Sequence, residues 1–270
     1  MPVKPINTQH LHDLPDLRDP DLPLRRFLRA MFSLKADGAS HREIQDRLLS
    51  GGVITGTNLI VLICAMIIAS VGLNTGSTAV IIGAMLISPL MGSILAMSYG
   101  TAANDFSVIR NHLIGFLLQI VFSVAASTIY FWLSPIKEPT SELLARTSPT
   151  FYDVLIAFFG GLAGIVGQTR SDKANNIIPG VAIATALMPP LCTCGYSIAN
   201  ARWDMLAGAA YLFLINTYFI FLSGTMILGL LGIPKVHEMS DHDWRKLKFR
   251  MIRNAVIIAL PSILVFFAMR

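Results

Sequence analysis

IGAMLISPLMGS (Ile82 to Ser93) and IATALMPPLCTC (Ile183 to Cys194) are two similar apolar stretches, and each contains proline at its centre. Pro89 precedes Pro190 by 101 positions. A proline inside a membrane helix frees a backbone carbonyl and clashes with the preceding turn, so another group must satisfy that backbone. Two interrupted helices at corresponding places in two halves indicate a binding site near the bilayer midplane of a transporter.

The composition is that of a membrane protein. The 270 residues are 54% apolar and only 14% charged, and their mean hydropathy is +0.62. Several windows after residue 58 reach the roughly 20 apolar residues that span a bilayer. The net charge of +5 comes largely from Lys and Arg beside these windows. We therefore expect an all-α membrane protein that lies against anionic lipid headgroups and binds no nucleic acid.

Seven apolar segments are predicted to be transmembrane helices. Their approximate ranges are 57–73, 78–99, 111–134, 151–168, 177–199, 205–232 and 254–269. With a cytoplasmic N-terminus, 17 of the 21 Lys and Arg residues fall on the cytoplasmic side. The positive-inside rule therefore favours a cytoplasmic N-terminus and an external C-terminus.

The segments group into two halves. We predict a cytoplasmic arm with short amphipathic helices at 1–50, a first membrane repeat at 51–134 and a second at 150–232. A basic juxtamembrane helix and a final transmembrane helix occupy 233–270. Because each repeat has three helices, an odd number, the two repeats enter the membrane from opposite sides and form an inverted repeat.

Polar residues and prolines near the two breaks are the predicted solute contacts. Hydroxyls beside a proline can coordinate a solute together with the freed carbonyls, or they can hydrogen-bond back to their own helical turn in a helix that is merely kinked. The predicted contacts are Ser88, Pro89, Ser93, Thr185, Pro189, Pro190 and Thr193.

Four polar residues near the ends of the helices are predicted to line the mouths of a pathway. They are Asn74, Asp105, Gln168 and Asp204. As ordinary loop residues they are solvated. The two aspartates can also stabilise the first turn of the helix that follows, where a negative charge is favoured.

The sequence offers no recognisable catalytic apparatus. We find no nucleophile, base and orienting group in a recognisable set, so we expect no enzymatic activity, no cofactor and no metal site. No Asp, Glu, Lys, Arg or His lies in the centre of a predicted span. The small residues between Gly160 and Gly167 predict close helix packing, within one chain or between chains. We expect a homo-oligomer.

The segment from Asn58 to Gly232 resembles a prokaryotic membrane family known as "uncharacterised hydrophobic protein", a domain of unknown function. The motifs are NLIVLICAMIIASVGL, IGAMLISPLMGS, GGLAGIVG and VAIATALMPPL. The resemblance implies a multi-pass protein of a bacterial or archaeal cell membrane and supplies no catalytic residues.

The function favoured by the sequence is transport of a small solute or ion, with contacts from the two broken helices. An oligomeric channel would use the same residues without alternating exposure. A membrane scaffold or anchor, in which the prolines only shape helices and the basic arm recruits a partner or lipid, is the alternative of a different class.

Overall fold

A computed structural model describes residue 23 and residues 38–170, 179–237 and 240–268. Within these ranges the side chains of 179–186, 241 and 264–268 are not described. Most of the predicted arm at 1–50, namely residues 1–22 and 24–37, and residues 171–178, which contain most of the loop between the fourth and fifth predicted spans, therefore lie outside the described residues.

The described residues form helices joined by short links, which confirms the all-α class. In chain order these are α1 (His41–Gly51), α2 (Gly56–Thr75), α3 (Thr78–Leu86), α4 (Leu90–Ala102), α5 (Phe106–Leu133), α6 (Ser141–Leu144), α7 (Phe151–Gln168), α8 (Pro179–Ala199), α9 (Trp203–Leu231) and α10 (Asp241–Ala268).

Four helices, α2, α5, α7 and α9, are long and apolar enough to cross a membrane. The pair α3 and α4 makes a fifth span if the two are taken together. These five agree with predicted spans. The other two predicted spans coincide with α8 and α10, and both helices include residues whose side chains are not described. The protein is thus a helical membrane protein, and the number seven stays a prediction.

The predicted break at Pro89 is confirmed. α3 ends at Leu86, α4 begins at Leu90, and the two are bent by 49°. Pro89 itself takes the N-cap position of α4. Its missing N–H costs little there, because the first turn of a helix has no intrahelical acceptor for its N–H groups.

The predicted break at Pro189 and Pro190 is wrong, because α8 is helical on both sides of the two prolines. Proline has the φ angle that a helix needs, so the cost is the loss of hydrogen bonds to the carbonyls of Thr185 and Ala186 and the crowding of the rings against the preceding turn. Both prolines are buried. Packing by neighbouring helices makes such a site tolerable within a membrane.

Two helices form the centre of the molecule. Every residue of α4 from Ser93 to its end is buried, and so are residues 187–197 of α8. α5 packs against both, and α9 does the same from the other half. The core therefore lies where the predicted repeats meet.

α4 and α8 run in opposite directions. α4 and α5 are antiparallel, since they share a tight turn and Ser93 on α4 reaches back to Gln119 on α5. α5 and α8 are parallel, since Ser127 bonds the carbonyl of Cys192 and, one turn further along both helices, the ring of Phe131 lies 5.1 Å from that of Tyr196. α4 is antiparallel to α5 and α8 is parallel to α5, so α4 and α8 run in opposite directions.

The turn that follows α4 has the same form as the turn that follows α8. Each contains a non-glycine residue with a φ of 54°, Asn104 in the first and Ala201 in the second, 97 positions apart. The shared hydrogen bonds are Asp105 N–H to Gly100 C=O and Arg202 N–H to Ser197 C=O, both 2.8 Å, and Asn104 N–H to Thr101 C=O and Ala201 N–H to Ile198 C=O, both 3.3 Å. This is a Schellman-type helix end, formed twice in one register.

Candidate functional site

The break between α3 and α4 leaves one hydroxyl without a partner. Ser88 and Pro89 are half-buried. Ser88 Oγ is enclosed by protein, yet it has no hydrogen-bond partner among the described residues. No side chain caps the N-terminus of α4 either. The break therefore keeps unused hydrogen-bonding capacity of the kind that a bound solute or water can satisfy.

One turn into α4, Ser93 belongs to a buried polar cluster with residues that the prediction did not include. Its hydroxyl lies 3.2 Å from Gln119 Oε1 and 3.3 Å from the carbonyl of Gly52. The same carbonyl lies 3.0 Å from His112 Nδ1. Since carbonyl oxygen only accepts, His112 carries its proton on Nδ1 in this contact. The cluster fixes the chain that leaves α1 against α4 and α5.

The end of α1 approaches α4 so closely that only glycine fits. A Cβ atom at Gly92 would lie 1.7 Å from the carbonyl oxygen of Gly51. A Cβ atom at Gly52 would lie 2.6 Å from His112 Nδ1. Residues 51 and 52 thus cover the first turns of α4, and the Ser93 cluster is closed on the side of α1.

At the paired prolines of α8 the one described hydroxyl bonds to its own helix. Thr193 Oγ1 donates to the carbonyl of Pro189 at 2.9 Å. This is the arrangement expected of a kinked helix. Thr185 lies outside the residues whose side chains are described. Thr193 therefore has its hydroxyl proton engaged, unlike Ser88.

A second buried polar cluster joins three helices beside the paired prolines. Ser127 on α5 donates to the carbonyl of Cys192 on α8 at 3.0 Å. Ser70 on α2 lies 3.0 Å from the Ser127 hydroxyl. All three residues have no exposed surface. Hydrogen bonds between membrane helices fix their relative position, because lipid offers no competing partner.

A polar stripe on α5 connects the two clusters, and the sequence analysis missed it. His112, Gln119, Ser123 and Ser127 are all buried on one face of the helix. Their spacings of seven and four residues are helical, which was the signal available in the sequence. Ser123 is fully buried, and its hydroxyl has no partner among the described residues.

Of the predicted mouth residues, Asn74 lies inside the protein. It is 3% exposed, and its Nδ2 donates to Ser134 Oγ at 2.6 Å. The other amide atom, Oδ1, has no partner among the described residues. Gln168 is the last residue of α7 and is half-buried. The structure does not bring either residue to the break at Ser88.

The two predicted mouth aspartates stand at helix starts. Asp105 is the N-cap of α5 and accepts hydrogen bonds from Ser107 Oγ at 2.6 Å and from the backbone of Ser107 and Val108. The Ser107 hydroxyl, with these backbone groups, lowers the pKa of Asp105. Asp204 is exposed in the first turn of α9, 3.6 Å from Arg202.

A residue just before the first span of each half contacts the end of the first span of the other half. Arg47, which precedes α2, donates to the carbonyl of Arg170 just after α7 at 2.6 Å. Thr140, which precedes α7, donates to the carbonyl of Leu73 near the end of α2, also at 2.6 Å. We call these two contacts the reciprocal caps. Leu73 C=O also accepts the N–H of Gly76 at 3.4 Å, and Arg170 lies just beyond the last residue of α7.

The remaining polar features lie elsewhere. Among the described residues no three His, Cys, Asp or Glu side chains lie together as metal ligands. A groove of about 530 Å³ lies on α10, away from the breaks. It is lined by His242, Arg245, Lys246, Phe249, Arg250 and Arg253.

Comparison with known proteins places the chain in a family. It is 29% identical over 189 residues to the "Uncharacterized protein MJ0678" of Methanocaldococcus jannaschii. The aligned region covers 70% of this chain and 58% of that relative. The chain thus spans less than two thirds of the relative's length. No solved structure matches it. Residues 85–222, which include the break, the polar stripe of α5 and most of α9, match one family model, and the chain belongs to the family described as "Domain of unknown function (DUF389)".

Proposed function

We propose that the protein moves a small solute or ion across a prokaryotic cell membrane by alternating access between two inverted three-helix halves. The first half would comprise α2, the α3–α4 pair and α5, within 51–134, and the second α7, α8 and α9, within 150–232. α10 stands outside the repeat. The observation that carries this proposal is that α4 and α8 run in opposite directions and end in the same turn.

The offset of 97 residues between the two turns also relates the helices on either side of them. α4 ends at Ala102 and α8 at Ala199, while α5 begins at Phe106 and α9 at Trp203. Both intervals are 97 residues. In this register Leu90 and Met91 correspond to Leu187 and Met188. Segments that match in sequence offset and oppose in direction are the mark of an inverted repeat.

The interior supports a solute pathway more than a purely structural bundle. The polar stripe of α5 lies at the meeting of the two halves, and not all of its polar atoms are used in hydrogen bonds between the described helices. Ser88 and Ser123 have enclosed hydroxyls with no partner among the described residues. Leaving such a group buried and unsatisfied costs about 1–3 kcal/mol. A solute or water that occupies the site would recover that cost.

Flux measurement tests the proposal. The purified protein, reconstituted in liposomes, is screened with ions and metabolites, and binding is followed by thermal shift in detergent. Pro89→Ala and Pro190→Ala are expected to change flux, because each alters the backbone beside the proposed site. Gly83→Ala is the matched control, since a Cβ at Gly83 meets open space. Flux that both proline variants leave unchanged would retain transport and reject these prolines as part of the site.

The alternatives give other outcomes. Stable, folded protein with neither flux nor ligand stabilisation for any solute tried would favour a scaffold or anchor. Flux at channel rates from a particle of several chains would favour an oligomeric channel. Of the small residues that suggested an oligomer, Gly161 packs against α9 of the same chain, where its added Cβ would lie 2.7 Å from Ile220 Cα. The homo-oligomer therefore rests on α10, which has no counterpart in the proposed repeat, and mass measurement in mild detergent tests it.

The orientation of the chain in the membrane is part of the same proposal. We infer a cytoplasmic N-terminus and an external C-terminus from the distribution of Lys and Arg. Reporter fusions after Met1 and after Arg270 should report opposite sides of the membrane. Both ends on one side would contradict the seven-span arrangement.

A further inference from the structure

Phe116 on α5 and Phe213 on α9 stack on each other across the two halves. Their ring centroids are 5.9 Å apart and the ring planes differ by 18°. The two residues are 97 positions apart, which is the register of the two matching turns. In a structure with two-fold symmetry, equivalent residues touch each other only at the axis. The pseudo-two-fold axis therefore passes between these two rings.

An independent pair of contacts agrees with this axis. On one side, a Cβ at Gly195 of α8 would lie 2.6 Å from Ser127 Oγ of α5. On the other side, a Cβ at Gly224 of α9 would lie 2.8 Å from Ser98 Oγ of α4. Gly195 corresponds to Ser98, and Ser127 corresponds to Gly224, each at a distance of 97 positions. The second contact is therefore the counterpart of the first with the two halves exchanged. The two helix crossings are thus equivalent about the same axis.

A buried carboxamide follows each of the stacked phenylalanines by three residues. Gln119 is 2% exposed and Asn216 is 4% exposed, and they too are 97 positions apart. α9 is antiparallel to α8 across their tight turn, so α5 and α9 run in opposite directions. Each amide therefore lies about 4.5 Å from its phenylalanine along the helix axis, and the two amides lie on opposite sides of the ring pair.

Ser123 adds a group that points to a ligand near the first amide. It lies one turn beyond Gln119 on the same face of α5, is fully buried, and has no hydrogen-bond partner among the described residues. A buried hydroxyl without a partner is unusual and calls for a bound molecule or water.

We propose that the Phe116–Phe213 stack is the central barrier of the pathway, that Gln119 and Asn216 bind the solute on its two sides, and that the solute is small and uncharged. This inference rests on the proposed function. Each carboxamide offers both donors and acceptors and no charge. The central parts of α4, α5 and α9 and the described part of α8 contain no Asp, Glu, Lys or Arg. An ionised solute would lose its hydration there without meeting a counter-charge, which is strongly unfavourable.

Cysteine accessibility tests the placement without knowledge of the solute. In a background where Cys64, Cys192 and Cys194 are replaced by serine or alanine, single variants Gln119→Cys and Asn216→Cys are treated with a charged, membrane-impermeant methanethiosulfonate. The reagent is applied to right-side-out and to inside-out vesicles. We expect the two cysteines to react from opposite sides. Val121→Cys is the matched control: its side chain is 61% exposed on the outer surface of the helices, where lipid excludes the reagent.

Widening the barrier tests the rings and the solute class. Phe116→Ala combined with Phe213→Ala should raise glycerol and urea entry into liposomes severalfold and leave Na⁺ entry unchanged. Phe122→Ala is the control, because that ring is 40% exposed on the outside of α5. Monodisperse gel filtration and unchanged helical circular dichroism would establish that the double variant is folded. A misfolded double variant would be replaced by Phe116→Leu, for which a smaller rise is expected.

The outcomes separate this inference from the proposed function. Wild-type flux with no labelling at residue 119 or 216, or with labelling of both from one side, overturns the inference and leaves transport standing. Labelling from opposite sides supports the barrier even if the flux screen finds no solute. Equal entry of Na⁺ and glycerol through the double variant overturns the uncharged solute class.

Discussion

Asn104 and Ala201 have the same backbone conformation, with φ of 54°, at positions 97 residues apart. Among the described residues they are the two non-glycine residues with positive φ. Left-handed backbone costs an L-residue other than glycine or asparagine about 1–2 kcal/mol. The chain accepts this cost at Ala201, and Asn104 adopts the same conformation with little strain. The same turn at both places ties the direction of the following helix to the end of the preceding one.

Replacing Ala201 with glycine should therefore stabilise the protein. Ala201→Gly removes the left-handed strain, and we expect a gain of about 1 kcal/mol in the free energy of unfolding, measured by thermal denaturation in detergent. Ala199→Gly, in the last turn of α8, is the control and should cost about 0.5–1 kcal/mol. A loss of stability in Ala201→Gly would contradict the assigned conformation.

Gly92→Ala should separate α1 from α4. The new Cβ would lie 1.7 Å from the carbonyl oxygen of Gly51, so the chain at 51–52 has to move and the Ser93 cluster loses its Gly52 partner. We expect destabilisation of about 1–3 kcal/mol and faster proteolysis near residue 52. Gly83→Ala, also on a helix, meets open space and should be neutral or stabilising. Equal behaviour of the two variants would refute the close approach.

Two serines one turn apart on α5 should respond differently to alanine. Ser127→Ala removes the hydrogen bond to the carbonyl of Cys192, with an expected loss of about 1 kcal/mol in thermal unfolding. Ser123→Ala removes a hydroxyl without a partner among the described residues, so it should be neutral or stabilising. A larger loss for Ser123→Ala would mean that water or a ligand already satisfies Ser123 in the purified protein.

Asp105→Ala should lose stability in a pH-dependent manner. The folded pKa of Asp105 is lowered, first by the Ser107 hydroxyl and then by backbone N–H groups, so its stabilisation is present above the unfolded pKa. We expect a cost of about 1 kcal/mol at neutral pH. This difference from wild type should shrink as the pH falls below about 4, because Asp105 of the unfolded chain is protonated first and folded Asp105 follows only at its lower pKa.

Asp204→Ala is the matched control for this experiment. Asp204 lies in the first turn of α9 with its side chain 72% exposed, and it pairs with Arg202 at 3.6 Å. An exposed pair of this kind contributes about 0.2–1 kcal/mol. A difference between wild type and Asp105→Ala that is constant from neutral pH to pH 3 would contradict the capping role of Asp105.

Hydropathy and the proline rule were sufficient to predict the helical membrane class, five of the spans and the break at Pro89. They failed at Pro189 and Pro190, because a membrane helix can continue through proline when neighbours pack around it. The alignment of the two halves on their prolines also differs from the alignment on their turns. Aligning Pro89 with Pro190 gives an offset of 101, whereas the hydrogen bonds of the two turns give 97, one helical turn less.

The polar interior escaped the sequence analysis for a different reason. Mean hydropathy averages over all faces of a helix, so the many apolar residues of α5 outweigh the contributions of Gln119 and Ser123. Their common face is visible from spacing alone, but which face is buried depends on α4 and α8, which are distant in sequence. The insertion of Gly52 beside His112 depends likewise on a tertiary contact.

The reciprocal caps have a consequence for biogenesis. The carbonyl of Leu73 receives its Thr140 hydrogen bond only after the ribosome has made the link between the two halves, and Arg47 receives its acceptor only when Arg170 has been made. Both reciprocal caps thus form only after the second of their two residues has been made. A gene cut between α5 and α6 would place the Thr140 donor and its Leu73 acceptor on separate products, so this contact would form only if the two products associate.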